Sequence, residues 1–464
     1  MSVNKFGTRH GIMVCHRRRS LAITPQICFL LLWSTISTCT TAFSINGLLD
    51  PSLHRLKVRS PQSDIDGIFS SNSMLHMAKT AKKKKTKKKG SSGSSSSGLK
   101  GFGSIGATKD TQVDLDRSKE ARLFYDFMEG GSASDNLSRC AIGSFPLGDD
   151  FKLRGIAALK PVKKGDSIIR IPYELAINLG QEGVDPTAPA VAFLKDYCET
   201  LASAENSNDT PSKSTKAAYY SMLPPFEGDD CLGSTDFFSD QALNELQAPL
   251  VIEETKKRKQ RTSARFQSDV APNLESFPKW IDGSSVTEDH LAWAVWLVTS
   301  RVLTVQGDAE EGKSYRLLIP FLDMCNHDRG SSHVLSGRAV PGGELKVVAG
   351  ASVKEGDQIN ICYGGGMVGN DRFIQDYGFL DTSDNNRAYD MVAQQLLGKR
   401  RIVEGVGAGG FMSESDRKKT LDQLKQTTIQ EDENLLKGEK DTSLVAAYNY
   451  RIGVKKALSK FGSD

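Results

Sequence analysis

Three short stretches of the chain hold residues whose types and spacing could do chemistry. Each stretch lies at the end of an apolar, strand-like or helix-like run of residues. In chain order, the stretches end in Asn326-His327, in Cys362-Tyr363-Gly364 and in Asp376-Tyr377-Gly378-Phe379. A tyrosine hydroxyl has an ordinary pKa of about 10, so it can orient an amine at neutral pH but is a poor resting base. Aromatic faces attract cationic groups. Taken singly, each stretch is as typical of a turn or of core packing as of a site.

Together, the order and spacing of these stretches resemble the SET-domain protein methyltransferases, in particular the subgroup of the plastid Rubisco large-subunit lysine methyltransferases. Weaker similarity lies in Tyr219-Tyr220-Ser221-Met222-Leu223-Pro224 and in residues 427–433. The resemblance covers residues 145–382 and, more loosely, 385–464. It implies a protein-lysine N-methyltransferase that uses S-adenosylmethionine as its cofactor.

The resemblance also implies roles for individual residues. Tyr363 is the expected catalytic residue, at the point where the amine, the sulfonium and the hydroxyl converge. The implied cofactor-binding residues are Arg154, Gly155, Ile156, Arg301, Asn326, His327, Tyr363, Tyr377 and Phe379. Arg301 could pair with the cofactor carboxylate, or it could be a helix-terminal cation facing the dipole. Tyr377 and Phe379 would form a wall of the channel that holds the lysine and the cofactor, or they could be ordinary core aromatics.

Methyl transfer from a sulfonium is an in-line displacement that depends on positioning and on the exclusion of water. Burial in a narrow apolar channel favours the neutral form of a target lysine. One position departs from the family, because plastid relatives carry Glu-Gly-x-Gly where this chain has Lys152-Leu153-Arg154-Gly155. Only Gly155 is retained, so the acidic contact to the cofactor is in doubt, whereas backbone contacts from Arg154 and Ile156 could remain.

The expected fold is α+β. The resemblance implies a SET domain over residues 116–382, with small curled β-sheets, a pseudoknot-like threaded active site and a helical insertion at about 181–300. A helical substrate-binding domain is expected over 383–464. The sequence itself predicts strands at 155–159 and 167–172, joined by a turn as in the opening hairpin of the family. It also predicts that Thr287-x-x-His290 opens an apolar helix and that Thr428-x-x-Glu431 forms a capping box.

The N-terminal hundred residues have the composition of targeting and linker segments. Residues 1–42 combine a basic region, a short apolar region and small residues, as a secretory signal peptide does. Residues 43–77 contain serine and follow directly on this signal-like segment, and they are predicted to be a plastid transit peptide. A Lys-rich and Gly/Ser-rich linker is expected over 78–115. The predicted location is the plastid stroma, with the secretory pathway as the alternative and no membrane anchorage of the mature form.

Charge and cysteine content limit the partners and cofactors. Residues 1–109 contain 18 Lys and Arg and three acids, whereas the remainder carries a net charge of −11. An acidic body is a poor surface for nucleic acid. The eight cysteines form no C-x-x-C pair, and His327 has no second ligand at metal spacing, so no metal site is expected.

Two alternatives to lysine methylation stay open. A histidine methyltransferase branch of the same fold carries a similar Asn-His segment, but it places an Asn near the position of Gly307, which has no side chain. A non-catalytic scaffold that binds a partner is the other alternative, because Lys152 alters the cofactor site. The expected partner is a protein substrate, with the Rubisco large subunit and fructose-bisphosphate aldolase as candidates by analogy, and the enzyme is expected to be a monomer.

Overall fold

The computed structural model describes residues 113–147, 151–183, 185–206, 216–226, 233–400 and 412–462. The predicted signal peptide, the transit peptide and most of the linker lie outside these residues. Domain boundaries therefore stay predictions. No helix in the described ranges has the length and apolarity needed to cross a membrane.

The strands within these ranges are short and form three small sheets. In chain order they are β1 (Asp114–Leu115), β2 (Cys140–Leu147), β3 (Phe151–Ala158), β4 (Ser167–Pro172), β5 (Ile177–Gln181), β6 (Leu303–Gln306), β7 (Ser314–Leu318), β8 (Asn326–His327), β9 (Val334–Ser336), β10 (Glu344–Val348) and β11 (Gln358–Ile361). The first sheet has the order β1-β2-β3-β11-β8, the second β4-β10-β9 and the third β5-β7-β6.

Helices fill the middle and the end of the chain. They are α1 (Lys119–Gly130), α2 (Ser134–Leu137), α3 (Thr187–Asn206), α4 (Lys216–Tyr220), α5 (Asp240–Glu245), α6 (Pro249–Arg265), α7 (Glu288–Arg301), α8 (Asn370–Arg372), α9 (Ser383–Leu396), α10 (Glu414–Leu424), α11 (Ile429–Leu436) and α12 (Thr442–Phe461). Two π-helical segments, Phe266–Val270 and Phe373–Tyr377, extend α6 and α8. The mixture of small sheets and helices confirms the α+β prediction, whereas the pseudoknot-like threading stays a prediction.

The predicted opening hairpin is wrong in its pairing. Both strands exist, but β3 pairs with β2 and β11, whereas β4 pairs with β10 in another sheet. The turn-like sequence between them therefore carries the chain from one sheet to the next. Local alternation and turn residues indicate that strands are present, but they do not specify which strand each will pair with.

The predicted capping box at Thr428 is confirmed, and the helix predicted to open at Thr287 begins with a capping box as well. Thr287 accepts a hydrogen bond from the backbone of His290, and the His290 ring accepts one from the backbone of Thr287, at the start of α7. Thr428 and Glu431 make the same reciprocal pair at the start of α11. Each cap satisfies backbone N–H groups that the first turn of a helix leaves without partners.

Two large hydrophobic cores and a small third cluster around Phe373 organise the described residues. The larger surrounds Trp293 of α7 and the inner faces of the three sheets. The second contains the C-terminal helices α9, α10 and α12, and it also takes in α5 and the start of α6 from the predicted insertion. Arg451 of α12, almost fully buried, donates to the backbone carbonyl of Glu245 in α5. The helical insertion therefore bridges the sheet-containing core and the C-terminal helices.

Candidate active site

The parallel pairing of β8 with β11 brings the Asn-His segment beside the segment that ends in Tyr363. Asn326 lies opposite Asn360, and His327 lies opposite Ile361. The next residue, Asp328, donates its backbone N–H to the Ile361 carbonyl at 3.1 Å. Two motifs that are far apart in the sequence thus end at the same edge of the first sheet.

Tyr363 is fixed at two points. Its hydroxyl donates to the backbone carbonyl of Cys325 at 2.7 Å, and its backbone N–H donates to Nδ1 of His327 at 3.0 Å. Burial raises the pKa of Tyr363 well above its ordinary range. The phenol is therefore neutral near pH 7, and it is a group that orients rather than a resting base.

His327 is held in one tautomer. Because Nδ1 accepts the Tyr363 N–H, the ring proton lies on Nε2, which is 3.3 Å from Oδ2 of Asp381. Burial alone would raise the pKa of Asp381, but the nearby His327 ring and hydrogen bonds from Ser383 and Arg329 hold it well below its usual range. A buried, ionised carboxylate thus orients the imidazole that in turn fixes Tyr363.

The Asp-Tyr-Gly-Phe motif lies on a π-helical turn beside Tyr363. The Tyr363 and Tyr377 ring centroids are 5.0 Å apart, and the Phe379 ring lies 5.9 Å from that of Tyr377. Gly378 has a φ of 82°, a left-handed conformation that glycine adopts without strain, and it closes the turn. Single π-turns often occur at functional sites because they redirect side chains.

The insertion anchors this π-turn. Arg258 of α6 donates to Asp376 at 2.8 Å and lies 2.7 Å from Asp236, and all three side chains are largely buried. Arg372 forms a further ion pair with Asp376 at 2.8 Å. A buried charged network that includes Arg258, from a helix of the insertion, therefore fixes the π-turn that carries Tyr377 and precedes Phe379.

These residues surround a cavity of about 500 Å³. The volume lies within the range of about 300–1,000 Å³ usual for small-molecule and cofactor pockets. Most of the predicted site residues line it. Its walls are formed by Leu153, Arg154, Pro224, Trp296, Ser300, Arg301, Asp323, Met324, Asn326, His327, Tyr363 and residues 377–383.

A second and much narrower cavity, of about 20 Å³, adjoins the first. Tyr363, Tyr377, Arg301, Ser300 and Asp323 line both. The remaining wall of the narrow cavity is mostly apolar, formed by Val302, Leu303, Leu322, Cys325 and Ile361. The Tyr363 side chain therefore lies where a wide pocket and a narrow apolar one meet.

A carboxylate and a guanidinium stand together at this junction. Nη1 of Arg301 lies 3.6 Å from Oδ2 of Asp323 and donates to its backbone carbonyl at 3.1 Å, and the Tyr219 hydroxyl donates to Oδ2 at 2.9 Å. Burial raises the pKa of Asp323, although Arg301 and Tyr219 oppose the shift. Among the described residues no group donates to the buried Oδ1 of Asp323. The Arg301 guanidinium is therefore the charged group of this pair that an anionic ligand group could reach, whereas the Asp323 side chain is fully buried beside it.

The opening strand contributes through close backbone approach. Asn326 Nδ2 donates to the backbone carbonyl of Arg154 at 2.7 Å. A Cβ on Gly155 would lie only 2.7 Å from that same nitrogen and would also collide with Gln358. Gly155 is thus required by lack of space. Ile156 is fully buried in the core, and its side chain does not reach the cavity.

Lys152 lies away from the cavity. Its side chain is mostly exposed and lies 3.4 Å from Asp114. Lys152 is not among the residues that line the wide cavity, although Leu153 and Arg154 are. The departure from the family pattern therefore does not place a lysine ammonium in the pocket.

Sequence reasoning missed several residues of this site. The cavity is also lined by Trp296, Asp381, Thr382 and Ser383. Arg329 donates a hydrogen bond to Asp381. Asp381 stands two residues after Phe379, but no spacing rule marks an acid there as part of a site. Arg329 and Asp381 are 52 residues apart in the chain, so only the folded structure reveals their contact.

The site has the composition expected of the SET-domain methyltransferase class, and comparison with known proteins supports that resemblance. No family model matches the chain. The chain is similar to the chloroplastic "Ribulose-1,5 bisphosphate carboxylase/oxygenase large subunit N-methyltransferase" of Pisum sativum, at 24% identity over 252 residues. The match covers 52% of this chain and 48% of the relative, so the chain spans about half the length of the curated relative it matches. The predicted resemblance to this subgroup is confirmed.

Two solved structures are also similar. The SET domain of LSMT bound to lysine and AdoHcy is 18% identical, with a TM-score of 0.47 and coverage of 74% of this chain and 89% of that chain. Rubisco LSMT bound to sinefungin and monomethyllysine is 18% identical, with a TM-score of 0.46 and coverage of 74% and 90%.

Proposed function

We propose that this protein is an S-adenosylmethionine-dependent protein-lysine N-methyltransferase. The observation that carries the proposal is the junction of two cavities at Tyr363, one wide and partly polar, the other narrow and largely apolar. An in-line transfer needs a donor and an acceptor on opposite sides of the moving group. The apolar wall of the narrow cavity suits the aliphatic stem of lysine, and its walls must move apart to admit one, because the cavity of about 20 Å³ has room for about one water.

The residues of the wide cavity fit the proposed cofactor. The amino acid moiety of the cofactor carries a carboxylate, which the partly exposed Arg301 guanidinium could receive. The faces of Tyr377 and Phe379 offer an electron-rich wall to a sulfonium. When bound, the cofactor would supply the methyl group.

The residues of the chain do the positioning. The Tyr363 hydroxyl, already donating to Cys325, keeps lone pairs that can accept an N–H of the incoming amine. Burial favours the neutral, nucleophilic form of a lysine. The apolar wall, Val302, Leu303 and Ile361 among it, excludes water that would solvate the ammonium.

Lysine is favoured over histidine as the target. Among the described residues that line the narrow cavity there is no Asn or Gln to hold an imidazole. Gly307, named above as the position to compare, lies outside both cavities, and a Cβ there would press against the ring of Tyr315. The narrow cavity is lined by the apolar side chain of Leu303.

We further propose a plastid protein as the substrate. The name of the Pisum sativum relative, which is chloroplastic and acts on the Rubisco large subunit, supports this proposal, as do the signal-like and transit-like residues 1–77. The Rubisco large subunit and fructose-bisphosphate aldolase are the first candidates. The monomeric state is part of the same proposal.

The test is radiolabelled methyl transfer from S-adenosylmethionine into a plastid extract by residues 78–464, with Tyr363→Phe as the matched control. The extract should come from cells grown with a methylation inhibitor, so that the target sites are free. A labelled protein band that the control loses, with methyl-lysine identified by mass spectrometry, supports the proposal. Methyl-histidine as the only product would move the assignment to histidine. Absence of both transfer and cofactor binding would favour a non-catalytic scaffold.

A further inference from the structure

Arg329 is a buried cation two residues beyond His327 that no part of the mechanism above uses. Its side chain is only 2% exposed. Burying a guanidinium is costly unless each of its donors finds a partner. The identity of those partners indicates what the residue does.

Each nitrogen of the Arg329 guanidinium has an acceptor. Nε donates to Oδ2 of Asp381 at 2.7 Å, Nη1 to the carbonyl of Gly366 at 2.6 Å, and Nη2 to the carbonyl of Val368 at 2.7 Å. The guanidinium carbon also lies 5.6 Å from the ring centre of Phe373. The planar fork of arginine matches this set of acceptors, whereas the ammonium of a lysine is a point charge.

Two of these acceptors belong to the loop that follows Tyr363. Gly364, Gly365 and Gly366 have φ values of 58°, 58° and 72°, so three consecutive residues are left-handed. Glycine reaches this conformation without strain, but it gives the loop a large conformational freedom to lose. Arg329 ties the far end of this loop through Gly366 and Val368.

The third acceptor, Asp381, connects Arg329 to Tyr363 through a second chain of contacts. Asp381 receives Arg329 on the same oxygen that lies 3.3 Å from Nε2 of His327, and Nδ1 of His327 accepts the Tyr363 N–H. Arg329 thus reaches Tyr363 from both sides, through the glycine loop after it and through the Asp381–His327 pair beside it.

We propose that Arg329 is a positioning residue for methyl transfer, which holds the Tyr363 hydroxyl at the junction of the two cavities by tying the glycine loop and Asp381. The inference rests on the proposed function. It differs from a purely structural role, in which the buried ion pair only stabilises the fold.

Arg451 provides the matched control for that structural role. It is equally buried, at 1% side-chain exposure, and it pairs with the buried Asp432 at 2.8 Å and with Glu245. It lies in the second hydrophobic core and does not line either cavity. Lysine at either position keeps a charge beside the acid but cannot reproduce the arginine fork.

The kinetic test compares Arg329→Lys with Arg451→Lys in the full chain. We expect Arg329→Lys to lower kcat by about 100-fold, the size usual for a misplaced catalytic group, with the Kd for S-adenosylmethionine changed less than about threefold. Arg451→Lys should leave the kcat of the folded enzyme within about threefold while lowering its melting temperature. In Arg329→Ala, free guanidinium at millimolar concentration should restore part of the rate, and ethylammonium should restore less. A kcat for Arg329→Lys within threefold of the wild type would overturn the proposal.

Hydrogen exchange gives a test that does not depend on turnover. The amides of 363–368 should exchange faster in Arg329→Lys than in the wild type, and they should be unchanged in Arg451→Lys. Equal exchange of this segment in all three proteins would overturn the inference. If the wild type transfers no methyl group, the proposed function fails, but the exchange result still decides whether Arg329 holds the Tyr363 loop.

Discussion

The Tyr363 hydroxyl donates to the backbone carbonyl of Cys325 at 2.7 Å. This bond crosses from the end of β11 to the segment that leads into β8, so it joins two of the three motifs read from the sequence. The phenolic proton is used in this bond, so the lone pairs of the oxygen remain available to accept a hydrogen bond from a ligand. The direction of the bond therefore supports the proposal that Tyr363 orients an amine rather than removing its proton.

Tyr363→Phe tests that assignment. Removal of one preorganised polar group at a reacting centre costs about 10²–10³ in kcat. We expect a loss of that size, with the Kd for S-adenosylmethionine within about threefold, because the aromatic ring and its contacts remain. Single-turnover methyl transfer and calorimetry measure the two quantities. Full activity in the variant would remove Tyr363 from the chemistry.

The pH dependence follows from the raised pKa of Tyr363. A tyrosine with its ordinary pKa of about 10 would begin to ionise on the alkaline side of neutrality. Burial moves that ionisation upward, so the hydroxyl stays neutral and the rate should not fall as pH rises from about 7 to about 9.5. A rate profile over this range, with protein stability followed in parallel, is the measurement. A descending limb absent from Tyr363→Phe would contradict the expectation.

The residues that sequence reasoning found and missed differ in a physical way. Asn326, Tyr363 and Phe379 stand in compact motifs at the ends of regular elements, so a family resemblance carried by short stretches could single them out. Arg329 and Asp381 act through a contact between residues 52 positions apart. Local pattern cannot predict such a contact.

The fold shows the same division. The capping box at Thr428 was predictable because all its bonds lie within one helical turn. The partners of β3 and β4 were not, because strand pairing depends on distant segments, and β4 finds its partner in Glu344–Val348. For the same reason, the sequence did not predict that helices of the insertion contribute residues to the second core.

Arg301→Ala should weaken cofactor binding in a ligand-dependent way. A hydrogen bond to a charged group contributes about 1.5–3 kcal/mol, so the Kd for S-adenosylmethionine should rise about 10-fold or more. Methylthioadenosine has no carboxylate, and its Kd should change little. Calorimetry with both ligands makes the comparison, and thermal melting confirms that the variant folds. An equal loss for both ligands would indicate that Arg301 only supports the fold through Asp323.

Gly155→Ala tests the close approach of β3 to Asn326. The added methyl group would stand 2.7 Å from Asn326 Nδ2, which is much shorter than a normal contact. Asn326 must then give up its bond to Arg154 or move into the cavity. We expect about a 10-fold weaker Kd for S-adenosylmethionine, in line with the loss of about one hydrogen bond. Gly183→Ala is the control, because none of the described residues lies within 4 Å of a Cβ there and its φ is not in the left-handed region. Unchanged binding in Gly155→Ala would place Asn326 outside the cofactor site.

Asp381→Asn should reveal a stability contribution that depends on pH. The folded-state pKa of Asp381 is held below its ordinary range, while in the unfolded chain it is about 3.9. The ionised form thus stabilises the fold above the unfolded pKa, and this contribution is lost as pH falls below it. Loss of one partner of a buried ion pair costs about 3–5 kcal/mol. Urea unfolding should therefore show a large difference between wild type and variant at pH 7 and a smaller one at pH 3.5. Asp384→Asn, whose carboxylate is exposed beside Arg387, is the control and should differ little at either pH. A difference for Asp381→Asn that stays constant with pH would mean that the charge of Asp381 does not support the site.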